Sequence, residues 1–219
     1  KKEFKILEYL NTISCIYKVI PMIEFKNISK QAPYKVFVNL YNRSLKSNQK
    51  NIEAICIASY SLNNNEVNAR FVNLKFISNN EFIFFSNYNS PKSKDFTSHN
   101  KITALIYWNN INVQIRMKAS IKKTTKDFNN AYFATRDFKK NALAISSNQS
   151  QVIKSYESVQ KKYKRSLKND DLSKCPDYWG GYSFIPFYFE FWEGHDSRLN
   201  KRETFELCDN HWKHGFLEP

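Results

Sequence analysis

Four short stretches of the chain carry side chains suited to binding anions. Arg70-Phe71-Val72-Asn73-Leu74-Lys75 sets two cations five residues apart. On a strand that odd spacing sends them to opposite faces, toward two anionic groups or toward one and solvent. Phe84-Phe85-Ser86-Asn87-Tyr88-Asn89-Ser90-Pro91-Lys92 ends an apolar run in a polar turn. A hydroxyl, free backbone N–H groups and a lysine at the start of a short helix suit a phosphate. Tyr132, Arg136 and Lys140 stand at i, i+4 and i+8, one helical face if the helix persists that far, and offer a phenol and two cations to a phosphate monoester. Tyr178-Trp179-Gly180-Gly181-Tyr182 leads into Glu190-Phe191-Trp192-Glu193-Gly194 and then Arg198-Leu199-Asn200-Lys201-Arg202. The glycine pair allows positive φ and close backbone approach, and Trp192 gives a flat apolar wall with one N–H donor. A plain surface charge, an ordinary capped helix and a solvated basic face are the alternatives to the first three.

The elements that must position these residues follow from hydrophobic period. Phe37, Leu40, Tyr41 and Leu45 mark one face of a helix over about 33–46, with Pro33 in its first turn. The period then changes to two. Strands are predicted over 53–60, 68–78, 81–87 and 102–108, with asparagine-rich turns at 63–65 and 79–80. Residues 112–122 alternate most cleanly: Val113, Ile115, Met117, Ala119 and Ile121 point one way, and Gln114, Arg116, Lys118 and Ser120 the other. Residues 125–135 and 149–166 read as helices with basic outer faces, 182–192 as a long aromatic strand, and 203–208 as the last strand. Strands dominate without a regular βαβ alternation, so the fold class is mainly β with helices (α+β), an antiparallel barrel with helices around it. Residues 1–30 form an N-terminal arm and 31–219 one domain.

Bulk properties narrow the function. The composition is globular: 42% hydrophobic and 16% aromatic, too rich in aromatics for a disordered chain. A net charge of +14 favours an anionic partner, although the lysines are spread along the chain. The glycines number four, and neither GxGxxG nor GxxxxGK[ST] occurs, so any phosphate is held mainly by side chains. Cys15, Cys56, Cys175 and Cys208 form no CxxC pair; Cys56 reads as a small core residue, and the pattern predicts reduced thiols in a cytoplasmic protein. Glu3, Glu8 and Lys18 interrupt the first apolar stretches and no run of 18 apolar residues occurs, so neither a signal-peptide core nor a membrane span is predicted. His211 and His214 lack a third ligand close in sequence beyond Cys208 and Asp209, and read as surface residues rather than a metal site.

Pro176-Asp177-Tyr178-Trp179-Gly180-Gly181-Tyr182, Glu190-Phe191-Trp192 and Arg198-Leu199 together resemble the C-terminal signature of the pyridoxamine 5'-phosphate oxidase family. The Arg70–Lys75 segment, the Phe85–Lys92 turn, Gln114, Tyr132-Phe133 with Arg136, and Gln149-Ser150 resemble it in the same order and near the same spacing, over roughly residues 30–219. The resemblance implies an antiparallel Greek-key split β-barrel, homodimeric, with FMN at the subunit interface. It implies that Arg70, Phe71, Val72, Lys75, Phe85, Ser86, Lys92, Gln114, Trp192 and Arg202 hold FMN, with Gln149 and Ser150 supplied by the other subunit. Lys75, Tyr132, Arg136, Lys140 and Asn200 then bind the substrate, and Arg198 lies over its ring as the catalytic residue. The implied reaction oxidises a phosphorylated B6 vitamer to pyridoxal 5'-phosphate and gives hydrogen peroxide from oxygen, the flavin carrying the hard step. The implied partners are that small molecule and a second copy of the chain, not nucleic acid or a membrane.

Several positions depart from the family's pattern. Pro91 stands where an arginine is usual, Phe85 for a tyrosine, Lys140 for a serine, Asn200 for a histidine, and Phe216 for a C-terminal arginine. The alternatives therefore kept are a related FMN enzyme acting on another reduced ring, as in the phenazine-pathway branch, a non-catalytic binder of flavin or pyridoxal phosphate, and, on charge and aromatics alone, a nucleic-acid-binding module.

Overall fold

The computed structural model describes residues 23–219. The predicted N-terminal arm and Cys15 lie mostly or wholly outside that range. From the arm's last residues, Glu24–Lys26 form β1, a short strand missed by periodicity, which pairs in parallel with β3 (Glu66–Ser78). Helix α1 (Ala32–Lys46) follows, with Pro33 in its first turn. It buries Phe37, Leu40 and Tyr41 as predicted, but Leu45 is exposed and Ser44 takes the buried position.

Six strands close a ring. β2 (Ala54–Ser61), β3 and β4 (Glu81–Asn87) run as an antiparallel meander. Helix α2 (Pro91–Ser98) then returns the chain so that β5 (Lys101–Trp108) lies beside β2, the spatial order of a Greek key. β6 (Val113–Lys123) pairs with β5 and with β7 (Trp179–Glu193), and β7 closes on β4. Between β6 and β7 lie helices α3 (Lys126–Thr135), α4 (Phe138–Ser146) and α5 (Tyr156–Asn169). The first half of the predicted 149–166 helix is irregular, and Ser150 stands at φ 68, outside helical geometry. The strand predicted to be last, β8 (Lys201–Cys208), is followed by β9 (His211–Leu217) across a turn at Asp209-Asn210 with φ 48 and 65. Those two left-handed residues match the twist of a two-residue hairpin.

The inner face is the one set by the alternation. Val113, Ile115, Met117, Ala119 and Ile121 are all buried, with Ile55, Ile57, Phe82, Phe84 and Phe184. At one end α1 closes the barrel: Tyr34 and Phe37 meet Phe82, and Tyr41 meets Trp108, whose indole N–H donates to the Ile52 carbonyl. At the other end of β5, α2 brings Asp95 to Ser59, whose register partner is Ile102. Cys56 is not a core residue. It falls in the outward phase of β2 between buried Ile55 and Ile57, partly exposed. His211 and His214, an odd number apart on β9, take opposite faces, and His214 pairs with Glu203 at 3.0 Å. No helix among the described residues is long and apolar enough to cross a membrane.

Candidate active site

A cavity of about 430 Å³ opens where β3, the end of β4, α2 and the α3–α4 elbow meet. Lys75, Lys92, Arg136 and Lys140 all line it. Among the described residues none of the four forms an ion pair. The one carboxylate in the lining, Asp137, accepts the N–H groups of Lys139 and Lys140 as the cap of α4. The cavity is therefore an excess of positive charge held by neutral groups, a place built for an anion.

Lys92 shows this most directly. Its ammonium donates to Ser86 Oγ, Ser90 Oγ and Gln149 Oε1, each at 3.1 Å, and the Ser86 hydroxyl is 3.3 Å from the same Gln149 oxygen. Burial, with the Arg70 charge adding to it, pulls the Lys92 ammonium down to about 8. Lys75 is lowered too, chiefly by burial, against the opposing charge of Glu53 and with the help of Lys140 and Arg136. The turn predicted as a phosphate cradle thus brings Ser86 and Lys92 together. The α2 cap residue, Ser90, does not cap a backbone N–H but donates its hydroxyl to the Asn87 carbonyl.

Tyr132, Arg136 and Lys140 line one cavity, though not on one helix face. α3 stops at Thr135; Arg136 is extended at φ −73 and ψ 156, and α4 starts afresh after Asp137. An elbow, rather than a continuous helix, makes the three converge. Asp137 is an N-cap that the sequence displays openly, but the i, i+4, i+8 spacing masked it.

A stack of rings forms the cavity's apolar wall. Phe85 stacks on Tyr132, with centroids 4.0 Å apart, and lies parallel to Trp179, at 5.0 Å and 8° between planes, while Tyr132 and Trp179 are themselves 6.3 Å apart. Phe128 stacks beyond at 6.0 Å. Trp179 is placed by β7, where Asn87 is its register partner and Gly180 and Gly181 oppose Ser86 and Phe85. Neither glycine has positive φ. Close approach alone is the reason for Gly180: a Cβ there meets the Tyr88 hydroxyl and the Asn129 amide, which are bonded to each other at 3.0 Å.

Other predicted site residues lie outside this cavity. Arg70 takes the face of β3 opposite to Lys75, as the odd spacing predicts, and donates to Ser59 Oγ at 2.7 Å and the Ile57 carbonyl at 3.1 Å, with Asp95 at 3.6 Å. Gln114, Trp192 and Arg202 are consecutive register partners on the outer surface of β6, β7 and β8. Arg202 is fixed there by Glu190 at 2.8 Å, and Glu190 also pairs with Arg116. Burial works against the Glu190 charge, but the two guanidinium groups outweigh it and hold its carboxyl below the usual range. Arg198 is exposed at φ 65, and Asn200 Oδ1 accepts the His195 N–H at 3.0 Å inside the same loop. Phe71, Val72, Phe85, Ser86 and Gln149 do line the cavity, and Ser150 does not. Gln149, assigned by the resemblance to a second subunit, reaches the cradle of its own chain. Sequence reasoning gave no role to Trp179, although it quoted it, and passed over Asn141, Ser59 and Asp95. Of these only Trp179 lay in a recognisable motif.

Comparison with known proteins agrees with this geometry. Residues 179–219 match the model of the pyridoxine 5'-phosphate oxidase C-terminal dimerisation region. A pyridoxine/pyridoxamine 5'-phosphate oxidase of Hydrogenovibrio crunogenus is 30% identical over 191 residues, covering 85% of this chain and 88% of its own. One of Leptospira biflexa is 36% identical over 152 residues, covering 68% and 72%. Among solved structures, PhzG from Burkholderia lata in complex with tetrahydrophenazine-1-carboxylic acid superposes with a TM-score of 0.81 at 21% identity, covering 85% of this chain and 92% of that one. A pyridoxamine 5'-phosphate oxidase-related, FMN-binding protein from Nostoc punctiforme gives 0.70 at 12%, covering 87% and 99%. Barrel, cavity and kinship converge, and the chain belongs to the pyridoxine/pyridoxamine 5'-phosphate oxidase family of split-barrel oxidoreductases.

Proposed function

We propose that the protein is a cytoplasmic, homodimeric FMN-dependent oxidase that converts pyridoxamine 5'-phosphate, pyridoxine 5'-phosphate or both to pyridoxal 5'-phosphate, reducing oxygen to hydrogen peroxide. The observation that carries this reading is the cavity's four cations, which form no ion pair among the described residues, beside a stacked aromatic wall. FMN and a phosphorylated vitamer each bring a phosphate of about −1.5 to −2, and four cations match that pair.

The donor set fits FMN. Lys92, Ser86 and Gln149 already converge on one spot, with no carboxylate competing, and would hold the cofactor's phosphate; Arg70 adds positive potential behind Lys92. Phe71, Val72 and Phe85 supply adjoining apolar surface. When bound, FMN would supply the acceptor for the hydride removed from the substrate's 4' carbon and return the electrons to oxygen; with the amine substrate, water would then supply the aldehyde oxygen and ammonia would leave. Lys75, Arg136 and Lys140 bind and orient the substrate's phosphate by charge and Tyr132 by its hydroxyl, while the Phe85–Trp179 wall excludes water from that side. Gln114, Trp192, Arg202, Ser150, Asn200 and Arg198 complete the site. Of these, the outer-surface row and the 194–200 loop are contributed by a second copy. A match to a dimerisation region supports that arrangement.

The test is anaerobic mixing of the FMN-loaded protein with pyridoxamine 5'-phosphate. The visible flavin absorbance bleaches if the reading holds, and an unbleached spectrum with both B6 phosphates refutes it. Arg136→Ala is expected to raise KM by about tenfold to a hundredfold, the loss of one charge-assisted contact worth about 1.5–3 kcal/mol. An unchanged KM overturns the phosphate assignment. The second reading, oxidation of another reduced ring, is favoured by the superposition on PhzG and by Asn200. Bleaching by a reduced carboxylated tricycle, with none by B6 phosphates, selects it.

A further inference from the structure

We propose that Asn141 is a positioning residue for Arg136: its carboxamide, together with the Trp179 ring, fixes the guanidinium in the orientation that receives the substrate's phosphate. The inference rests on the phosphate reading of the cavity given above.

Arg136 occupies an elbow, where no helix constrains its side chain. A free arginine side chain carries about 2 kcal/mol of rotamer entropy, so a phosphate arriving there must either order it or find it ordered. A carboxylate partner would order it and also cancel its charge. This cavity uses neutral partners instead. Arg136 Nη1 donates to Asn141 Oδ1 at 3.0 Å, and the guanidinium carbon lies 4.6 Å above the Trp179 ring. The remaining guanidinium N–H groups make no hydrogen bond among the described residues, which leaves them for an anion.

Asn141 is built for this and cannot turn away. It is fully buried. Both its N–H groups are committed at 2.8 Å, one to the Phe133 carbonyl in the last turn of α3 and one to the Leu172 carbonyl beyond α5. With two donors fixed on carbonyls, the amide oxygen has one direction left, toward Arg136. Trp179 is held as firmly, parallel to Phe85 and edge-on to Phe133 at 4.9 Å. Substrate-site charge and cofactor-side wall thus share one rigid support.

The experiment compares the affinities of the loaded protein for pyridoxal 5'-phosphate and for pyridoxal, read by ligand absorbance, alongside KM and kcat. Asn141→Ala is expected to lower the phosphate-to-alcohol affinity ratio by about tenfold and to raise KM more than it lowers kcat. A residue that only supports the fold would weaken both ligands alike, and that result overturns the proposal. The double variant Asn141→Ala/Arg136→Ala should have the ratio of Arg136→Ala alone, whereas additive losses refute a shared role. Should Asn141→Ala fail to fold, Asn141→Ser and Arg136→Lys decide. Arg136→Lys keeps the charge but not the planar group, so full retention of the ratio overturns the clamp. If Arg136→Ala itself leaves the ratio unchanged, the phosphate reading fails; if Arg136→Ala lowers it and Asn141→Ala does not, the present inference fails alone.

Discussion

At the scale of single residues, Lys92 makes the cavity's purpose measurable. Its ammonium, ordinarily near 10.5, sits at about 8 because burial and the Arg70 charge disfavour it. The sign for binding is fixed by that shift. Below about 8 the lysine is charged and ready for a phosphate; above it, each bound phosphate must first draw in a proton. FMN affinity of the stripped protein is therefore expected to be level from neutrality to about pH 8 and to fall beyond it, by up to about tenfold per unit. Isothermal titration over pH 7 to 9.5 reads this, and a level profile throughout would remove Lys92 from the cofactor site. Lys92→Met should abolish the alkaline decline and weaken FMN about tenfold to a hundredfold at neutral pH. Stability of the ligand-free chain carries the opposite sign. The unfolded lysine retains its proton to about 10.5, so Lys92 contributes rising stability from about pH 8 upward.

At the scale of elements, the β4–β7 pairing depends on Gly180. A methyl group there collides with the Tyr88 hydroxyl and the Asn129 amide, and Asn129 in turn accepts the Gly181 N–H at 2.8 Å. Gly180→Ala is expected to cost about 1–3 kcal/mol, the usual range for overpacking, visible as a lowered denaturation midpoint; an unshifted midpoint would mean that the hub has room. The glycine pair was legible as close approach. The positive φ that the pair would also allow is not used, because composition alone does not separate the two reasons for a glycine. The same limit shows elsewhere. β6 was legible because one face is buried and the other is not. β9 escaped because it packs on the sheet's margin, exposed at most positions, and shows no alternation. The α3–α4 elbow was half legible: the end of the first helix at 135 and the Asp137 cap are local signals, but the contacts of Arg136 with Asn141 and Trp179 are tertiary and left no mark on the spacing. The cations of the site could be picked out by type, but not the neutral residues that hold them without quenching their charge.

At the scale of the whole molecule, the proposed site divides between two regions of one chain's surface. The cavity has Arg136 and Lys92, while the 194–200 loop and the Gln114–Trp192–Arg202 row lie outside it. The outer barrel face also leaves Phe71 73% and Tyr107 55% exposed, with Leu105 and Cys56 in register between β3 and β6. Apolar strand surface of this kind suits the second copy proposed above. Complementation separates a shared site from a self-contained one. Arg136→Ala and Arg198→Ala chains, each weak alone, are coexpressed with different tags and the mixed dimer is purified. If Arg198 acts across the interface, one of the mixed dimer's two sites joins an intact Arg136 to an intact Arg198, and turnover recovers to about half that of the unmodified dimer. If both arginines serve the site of their own chain, every site in the mixed dimer keeps one lesion and nothing recovers. Leu105→Glu, placed in the apolar register row, should in the same way give a monomer by sedimentation that has lost turnover while its Lys92 cradle still binds inorganic phosphate, because that cradle is complete within one chain.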